Sequence, residues 1–462
     1  MRIERFVTPG LAQVAYGIAD QAAGVAAIID PRRDVEVYCD WAAARRVRVI
    51  AILETHIHAD FVSGARELAA VTGAPIAASR IGQEEFPHEP LDDGSEIAVG
   101  ALTLRACATP GHTPEHMALL LFDAARGPEP VALFSGDALF VGEVGRPDLL
   151  GERETRGLAA QLYRTVEWLK SLDDALVVYP GHTAGSSCGK KISDAPATTI
   201  GREKIGNYAF KARSEEEFVA MVLEGMPASP TYYPVLKRVN KVGAPLMRDL
   251  AAGAPLTPAE VSERIVAGAI VVDTRAPEEF GAGHIPGARF AGLGGNFVAW
   301  MGWLAPYDRE IVLVLPDDAR YADTVTDLHR VGLDRVAGYL AGGMRAWQAA
   351  NPIAVSLRQM GVRDLAAQQT HGANGLVVLD VRSDDEWSGG HIAGAMHRFA
   401  GEIARGNAVG LPAVGPLAVI CGSGYRSSVV GSLLQANGRT DVINIAGGME
   451  AWEAAGLPVS RR

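Results

Sequence analysis

Two chemistries can be read from residue types and spacing in this chain: metal ligation in its N-terminal half and thiol nucleophilicity near its C-terminus. The apolar run Ile50–Leu53 leads into Thr55-His56-Ile57-His58-Ala59-Asp60-Phe61. Alternation along an extended segment would put His56, His58 and Asp60 on one side. Downstream come Thr109-Pro-Gly-His112-Thr-Pro-Glu-His116, Phe134-Ser-Gly-Asp137 and Tyr179-Pro-Gly-His182. Each His or Asp follows a short apolar strand and a turn rich in Gly or Pro. Separate strand ends can therefore deliver imidazoles and a carboxylate to one point. A single histidine of this kind is usually a packed or surface residue, but four such signals in one domain point to a metal site.

The thiol chemistry lies at Cys421-Gly422-Ser423-Gly424-Tyr425-Arg426-Ser427, directly after the apolar strand LAVI. A loop that leaves a buried strand at a cysteine and runs into a helix can aim backbone N–H groups at the sulfur. Arg426 and the helix N-terminus are expected to add positive potential, stabilising a thiolate or a bound anion.

The elements that must position this cysteine recur. Residues 270–288 read IVVDTRAPEEFGAGHIPGA and residues 377–395 read VVLDVRSDDEWSGGHIAGA; AGGMRAW at 341–347 returns as AGGMEAW at 446–452. So many matches in one register imply two homologous domains, 255–353 and 358–462, too long a period for a solenoid. Each copy alternates apolar runs of four to six residues with helical stretches, which implies a parallel sheet with helices on both faces. Function in such sheets sits at the carboxyl ends of the strands. The first copy has Val314-Leu-Pro-Asp317-Asp318-Ala-Arg320 where the second has its cysteine loop. With no thiol and two carboxylates there, 255–353 is expected to be catalytically inactive.

The chain has 462 residues, 43 Lys+Arg against 54 Asp+Glu for a net charge of −11, 48% hydrophobic and 21% charged residues. That length suggests about three domains, and the acidic balance argues against nucleic acid as a partner. Cys39, Cys107, Cys188 and Cys421 form no CxxC pair, which fits neither a disulfide scaffold nor a cysteine zinc site. No signal-peptide pattern opens the chain and no run of 18 apolar residues occurs, so a cytoplasmic, non-membrane protein is expected.

The motif set D-V-R, E-W, G-H-I-x-G-A, C-x-x-G-x-R and A-G-G-M-x-A-W over 358–462 resembles the rhodanese family of sulfurtransferases. The resemblance implies that Cys421 carries a sulfane sulfur as a persulfide, cradled by Gly422, Ser423, Gly424, Tyr425 and Ser427 with Arg426. It implies structural roles for Asp380 and Arg382. Over 1–240 the His-x-His-x-Asp, His112, Asp137 and His182 pattern resembles the metallo-β-lactamase superfamily, which implies an αβ/βα sandwich with the metal at the edge between two sheets. The two-zinc hydrolases of that superfamily have His-x-His-x-Asp-His, whereas this chain has Phe61 at the last position, so a second metal would lack a ligand. The departure resembles the superfamily's mononuclear iron branch, the persulfide dioxygenases. Carried over by motif position, the ligands of one Fe(II) are His56, His112 and Asp137, with His58, Asp60 and His182 around them to orient ligands and hydrogen-bond bound oxygen. Two imidazoles and one carboxylate leave three positions open, enough for substrate and O₂ together.

Arg146, on a loop after Asp137, is expected to bind a substrate carboxylate, Tyr179 to face the site, and Cys188 to act as a thiol near the iron. The whole chain resembles the three-domain persulfide dioxygenase–rhodanese fusions of bacterial sulfide detoxification. That resemblance implies O₂, a small thiol persulfide of the glutathione, coenzyme A or bacillithiol type, and sulfite or thiosulfate as reaction partners, in a dimer or tetramer. The alternatives are a glyoxalase II-type zinc thioester hydrolase fused to rhodanese domains, and a sulfur carrier with a vestigial metal domain.

Overall fold

The computed structural model describes all residues except 351–352, 371–374, 408 and 462, so the expected end of the second repeat lies outside the described residues. The chain divides into two compact units at about residue 250.

The first unit is built on two six-stranded sheets. One runs in the order β1 (Arg2–Thr8), β2 (Gln13–Asp20), β3 (Val25–Ile29), β4 (Arg48–Leu53), β5 (Ile76–Ser79), β6 (Glu89–Leu91). Its first three strands are antiparallel and the rest parallel, the crossovers being made by α1 (Glu36–Arg45) and α2 (Ala65–Thr72). The other sheet contains β7 (Glu96–Val99), β8 (Leu102–Ala108), β9 (Met117–Asp123), β10 (Pro130–Gly136), then, beyond a small hairpin of β11 (Leu139–Phe140) and β12 (Glu143–Val144), β13 (Val177–Pro180) and β14 (Thr198–Thr199). Helices α3 (Glu152–Lys170), α4 (Ile200–Gly206), α5 (Glu215–Leu223) and α6 (Tyr233–Val242) complete the unit.

Three apolar cores show the layering. Val14, Tyr16, Ile18, Ile29 and Leu53 of one sheet meet Leu102, Leu104, Leu119, Leu121 and Phe134 of the other. On its outer face the first sheet packs against Tyr38, Trp41 and Leu68 of α1 and α2, and the second against Leu162, Val166, Leu169 and Phe218 of α3 and α5. The order helix, sheet, sheet, helix is the αβ/βα sandwich of the metallo-β-lactamase fold, with apolar side chains alternating inward along strands such as β8.

The second unit holds two five-stranded sheets. Strands 254–256, 336–340, 311–314, 270–273 and 289–290 lie side by side in the first, and 358–360, 442–445, 417–420, 377–380 and 396–397 in the same order in the second. Every pairing in both sheets is parallel. The shared motif has a shared structural use. In the first copy Arg275 grips the buried Asp273 and donates to the Gly283 carbonyl; in the second Arg382 does the same with Asp380 and Gly390. Each guanidinium ties the end of a strand to the end of the following short helix through charge-assisted hydrogen bonds. The fold is thus a metallo-β-lactamase sandwich followed by two tandem rhodanese-like domains.

Candidate functional site

Strand ends of the first unit bring His56, His112 and Asp137 together with their ligand atoms all within 4.8 Å of one another, each residue buried. His56 follows β4, His112 lies between β8 and β9, and Asp137 follows β10. Two glycines make the approach possible. Gly136 has φ +50°, and a Cβ there would lie 2.5 Å from the His116 ring. A Cβ on Gly145 would lie 1.9 Å from the Asp137 carbonyl oxygen.

Each of the three side chains is held on one side and open on the other. His112 Nδ1 donates to the Arg146 carbonyl at 3.0 Å. Thr55 donates its hydroxyl to Asp30 at 2.8 Å, so its oxygen accepts from His56 Nδ1 at 2.9 Å. These bonds leave Nε2 of both rings as lone pairs. Asp137 Oδ1 accepts from His182 Nδ1 at 2.8 Å, and its backbone N–H donates to His116 Nε2 at 2.9 Å. The free atoms converge: Asp137 Oδ2 lies 3.3 Å from His112 Nε2 and 3.8 Å from His56 Nε2. His56 Nε2 and Asp137 Oδ2 are buried without a hydrogen-bond partner.

The charge state suits a cation. Burial, reinforced by neighbouring cations, pushes His112 down to about 3 and His56 well below its ordinary value, so both rings are neutral at pH 7. Burial opposes the Asp137 carboxylate, but the charge and hydrogen bond of His182 outweigh it and hold the group below the usual range. Neutral imidazoles and an ionised carboxylate are the forms that bind metal without first losing a proton. Unpartnered lone pairs meeting in a buried space fit a divalent metal ion.

His56, His58 and Asp60 stay near one another, but not through the alternation of an extended strand. Residues 54–62 form an irregular turn rather than a strand; the His56 and His58 rings lie 4.2 Å apart, but the three side chains take different hydrogen-bond and ion-pair partners. His58 turns to Asp30 at 3.2 Å and Glu54 at 3.7 Å. Burial opposes its charge, but Asp30 and Glu54 outweigh it and lift His58 to about 9, while burial lifts Glu54 to about 8. Asp60 accepts from His182 Nε2 at 2.8 Å, so His182 bridges two carboxylates through both ring nitrogens. Burial works against the His182 cation, yet Asp137, Cys188 and Asp60 hold its pKa well above the ordinary value. Phe61 is fully buried with its ring 4.4 Å from that of His58.

Two further expectations are corrected. Arg146 is fully buried and committed to internal partners: it grips Asp148 at 2.7 Å through two nitrogens and donates to the carbonyls of Ser187 and Pro227, using four of its five N–H donors. Its guanidinium pins three loops and has no face for substrate, while its carbonyl orients His112. Arg146→Met is expected to destabilise the chain by about 3–5 kcal/mol, the range for breaking a buried ion pair. In a thermal melt that reads as a fall of roughly 6–20 °C at 2–4 °C per kcal/mol. Tyr179 does not face the metal ligands either; its ring stacks on Phe134 and meets Tyr16 edge-on, inside the sandwich. Cys188 does reach the site. Its sulfur clusters with ligand atoms of Asp60 and His182, 3.9 Å from the Tyr233 hydroxyl, and burial pushes its thiol up to about 12, so it stays protonated.

The residues that sequence reasoning missed are Asp30, Glu54, Thr55, His116 and Asn240. Asp30 carries the same signature as Asp137, a carboxylate at a strand end, and the structure holds it at φ +49°. Asn240 donates to the carbonyls of His58 and Phe61 and accepts from the Ser63 N–H, which fixes the irregular turn. Nothing in the sequence links Asn240 to a loop so far upstream.

In the second unit, Cys421 ends the strand 417–420 and is fully buried. Gly424 N–H donates to its sulfur at 3.1 Å, and Ser427 Oγ lies 3.4 Å away. Gly424 takes φ +102° where the helix 425–436 begins, a left-handed conformation that turns its N–H inward. Gly422 is half-buried and Ser423 exposed, which leaves the loop open on one side. Tyr425 points away and donates to the Gly292 carbonyl of the first repeat at 2.9 Å. Arg426 flanks the cysteine loop with a carboxylate partner that the sequence did not indicate. Both its terminal nitrogens bond Glu386 at 2.6 Å, so its charge is matched by a carboxylate instead of bare beside the sulfur. Burial opposes the Glu386 carboxylate, but Arg426 outweighs it and pulls Glu386 down to about 2. In the first repeat the Asp318 carboxylate accepts from the Gly342 N–H at 3.3 Å, an internal anion at the start of the helix 343–350.

These structures have relatives. Residues 15–182 match the model of the metallo-beta-lactamase superfamily, and residues 257–350 and 363–455 match the rhodanese-like domain. A probable metallo-hydrolase of Burkholderia pseudomallei is 32% identical over 257 residues, 48% of this chain and 85% of that protein. A hydroxyacylglutathione hydrolase of Francisella tularensis subsp. novicida is 30% identical over 39% of this chain and 68% of its own length. Among solved structures, a metallo-beta-lactamase from Staphylococcus aureus matches with TM-score 0.67 and 34% identity, covering 73% of this chain and 98% of that one. By its sandwich, its strand-end ligands and these relatives, the chain belongs to the metallo-beta-lactamase superfamily, joined to two rhodanese-like domains.

Proposed function

We propose that the chain is a non-haem Fe(II) persulfide dioxygenase coupled to a rhodanese. In the overall reaction RSSH, O₂ and H₂O give RSH, sulfite and two protons. One observation supports the reading: two neutral imidazoles and one carboxylate converge with free lone pairs, while His182 is bonded through both nitrogens to Asp137 and Asp60 and His58 faces the carboxylates of Asp30 and Glu54. Bound Fe(II) would supply open positions for the substrate sulfur and dioxygen and the electron density that activates dioxygen. The protein's own groups then have defined tasks. Thr55 and the Arg146 carbonyl fix the tautomers of His56 and His112. His182 keeps Asp137 ionised and oriented. The buried walls exclude bulk water from a reactive sulfur.

Sulfur transfer belongs to Cys421. Its thiolate attacks the outer sulfur of RSSH and expels RS⁻, leaving a cysteine persulfide. Sulfite then attacks the outer sulfur of that persulfide, which releases thiosulfate, a proton and the Cys421 thiolate. The Gly424 N–H and Ser427 hydroxyl stabilise the sulfur anion in both directions. The same residues allow thiosulfate to serve as donor to a thiol, the direction following concentrations.

The hydroxyacylglutathione hydrolase relatives favour a second reading, a zinc thioester hydrolase. Anaerobic purification with iron quantification, followed by O₂ uptake against persulfides of glutathione, coenzyme A and bacillithiol, separates the two. About one iron per chain and stoichiometric O₂ consumption are expected. Two zinc ions per chain with S-lactoylglutathione hydrolysis and no O₂ uptake would overturn the dioxygenase reading.

A further inference from the structure

An anionic substrate would gain from a cation near the metal site, and the arginine singled out by sequence is committed to internal partners. Helix α6 offers another. Tyr233, Lys237 and Asn240 recur at i, i+4 and i+7, so they share one face. Asn240 is bonded to the turn that carries His56 and His58, and Tyr233 approaches Cys188. Lys237 lies between them on a face turned toward residues that neighbour the metal ligands.

The Lys237 side chain is only 13% exposed, and its Nζ is buried without a hydrogen-bond partner. The nearest carboxylate is Glu115, at 4.0 Å, which itself accepts the Ile57 N–H at 3.1 Å. Through Glu115, Lys237 is thus placed beside the backbone of Ile57, between His56 and His58. A buried ammonium donor with no acceptor is unfavourable unless an anion completes its shell.

We propose that Lys237 is the anion-recognition residue of the metal site, pairing with the negatively charged sulfur group of the substrate and with the sulfite product. The inference rests on the persulfide reading, because a thioester is uncharged at its reacting group. It makes Lys237 a specificity determinant: the residue favours RSS⁻ over neutral sulfur compounds of the same size.

The test uses the full-length, iron-loaded chain under anaerobic conditions, titrated with sulfite in a calorimeter. Saturable binding is expected for the wild type. A charged hydrogen bond of this kind is expected to weaken binding roughly 10–100-fold when removed in Lys237→Met. Lys237→Arg, which keeps the charge, should stay within about threefold, since only the geometry of the donor changes. The KM for persulfide should rise with the sulfite Kd, with kcat changed less. Unchanged sulfite affinity in Lys237→Met, or no saturable binding by the wild type, would overturn the proposal. Should Lys237→Met fail to fold, Glu115→Gln decides: anion recognition predicts tighter sulfite binding, while a purely structural ion pair predicts lower stability with no gain in affinity. If no persulfide drives O₂ uptake yet Lys237→Met still loses sulfite affinity, the dioxygenase reading fails and the anion site stands.

Discussion

Asp137→Asn is expected to empty the metal site and stop O₂ uptake while sulfur transfer at Cys421 continues. The carboxylate does two jobs at once. Oδ1 accepts from His182, and Oδ2 faces the point shared with His56 and His112. Asparagine has one acceptor and one donor group. If its oxygen faces His182, its NH₂ points at the cation; if it is turned, donor meets donor at His182. Either orientation removes the negative charge that a divalent ion needs. Loss of the metal's electrostatic work, about 4 kcal/mol or more, corresponds to roughly 1,000-fold in rate. Metal analysis should show iron falling from about one per chain to a small fraction. Retained iron with full O₂ uptake would remove Asp137 from the ligand set.

The second large effect is the converse. Cys421→Ser is expected to abolish thiosulfate formation while persulfide-dependent O₂ uptake persists. A serine hydroxyl stays protonated at neutral pH and does not take up sulfane sulfur, so the loss should be roughly 10⁴-fold or more, the scale seen when a catalytic nucleophile is deleted. The substitution is small, and Cys421 sits where Gly424 N–H can bond an oxygen as well as a sulfur. The strand 417–420 and its sheet should therefore survive. The readout is the product: sulfite should accumulate in place of thiosulfate. A parallel collapse of O₂ uptake would mean that the two chemistries are not separable by residue. Together with Asp137→Asn this variant divides the chain into two activities, each lost alone.

Legibility in the sequence followed the range of the interactions. The two rhodanese-like sheets could be read because each depends on local signals: short apolar runs, an Asp-x-Arg pair two residues apart, a Gly-Gly-Met helix start, and their repetition at nearly constant spacing. The Asp380–Arg382 pair is formed within one strand end, so residue spacing alone brings its members together. The convergence of His56, His112 and Asp137 could be anticipated because each follows a strand, and strand ends of the two facing sheets meet at one edge of the sandwich.

The sequence erred where a side chain's direction depends on distant partners. Alternation treated residues 56–60 as extended, but Asn240 ties the carbonyls of His58 and Phe61 and forces a turn. Arg146 looked like a substrate arginine, yet Asp148, Ser187 and Pro227 use its donors inside the protein. Arg426 was expected to add positive potential beside the thiol, but its partner Glu386, on an earlier helix, could not be read from the sequence.

By itself, then, the chain's order of residues determined which elements form, that the C-terminal half is a duplicated α/β unit, and which atoms could bind a metal or a sulfur. Tertiary structure alone decided which of those atoms remain unpaired. A ligand is available for chemistry only if no other group already satisfies it, and satisfaction is settled by contacts between segments far apart in sequence, such as Asp30 with Thr55 and His58, Asp60 with His182, and Lys237 with nothing but a carboxylate at 4.0 Å.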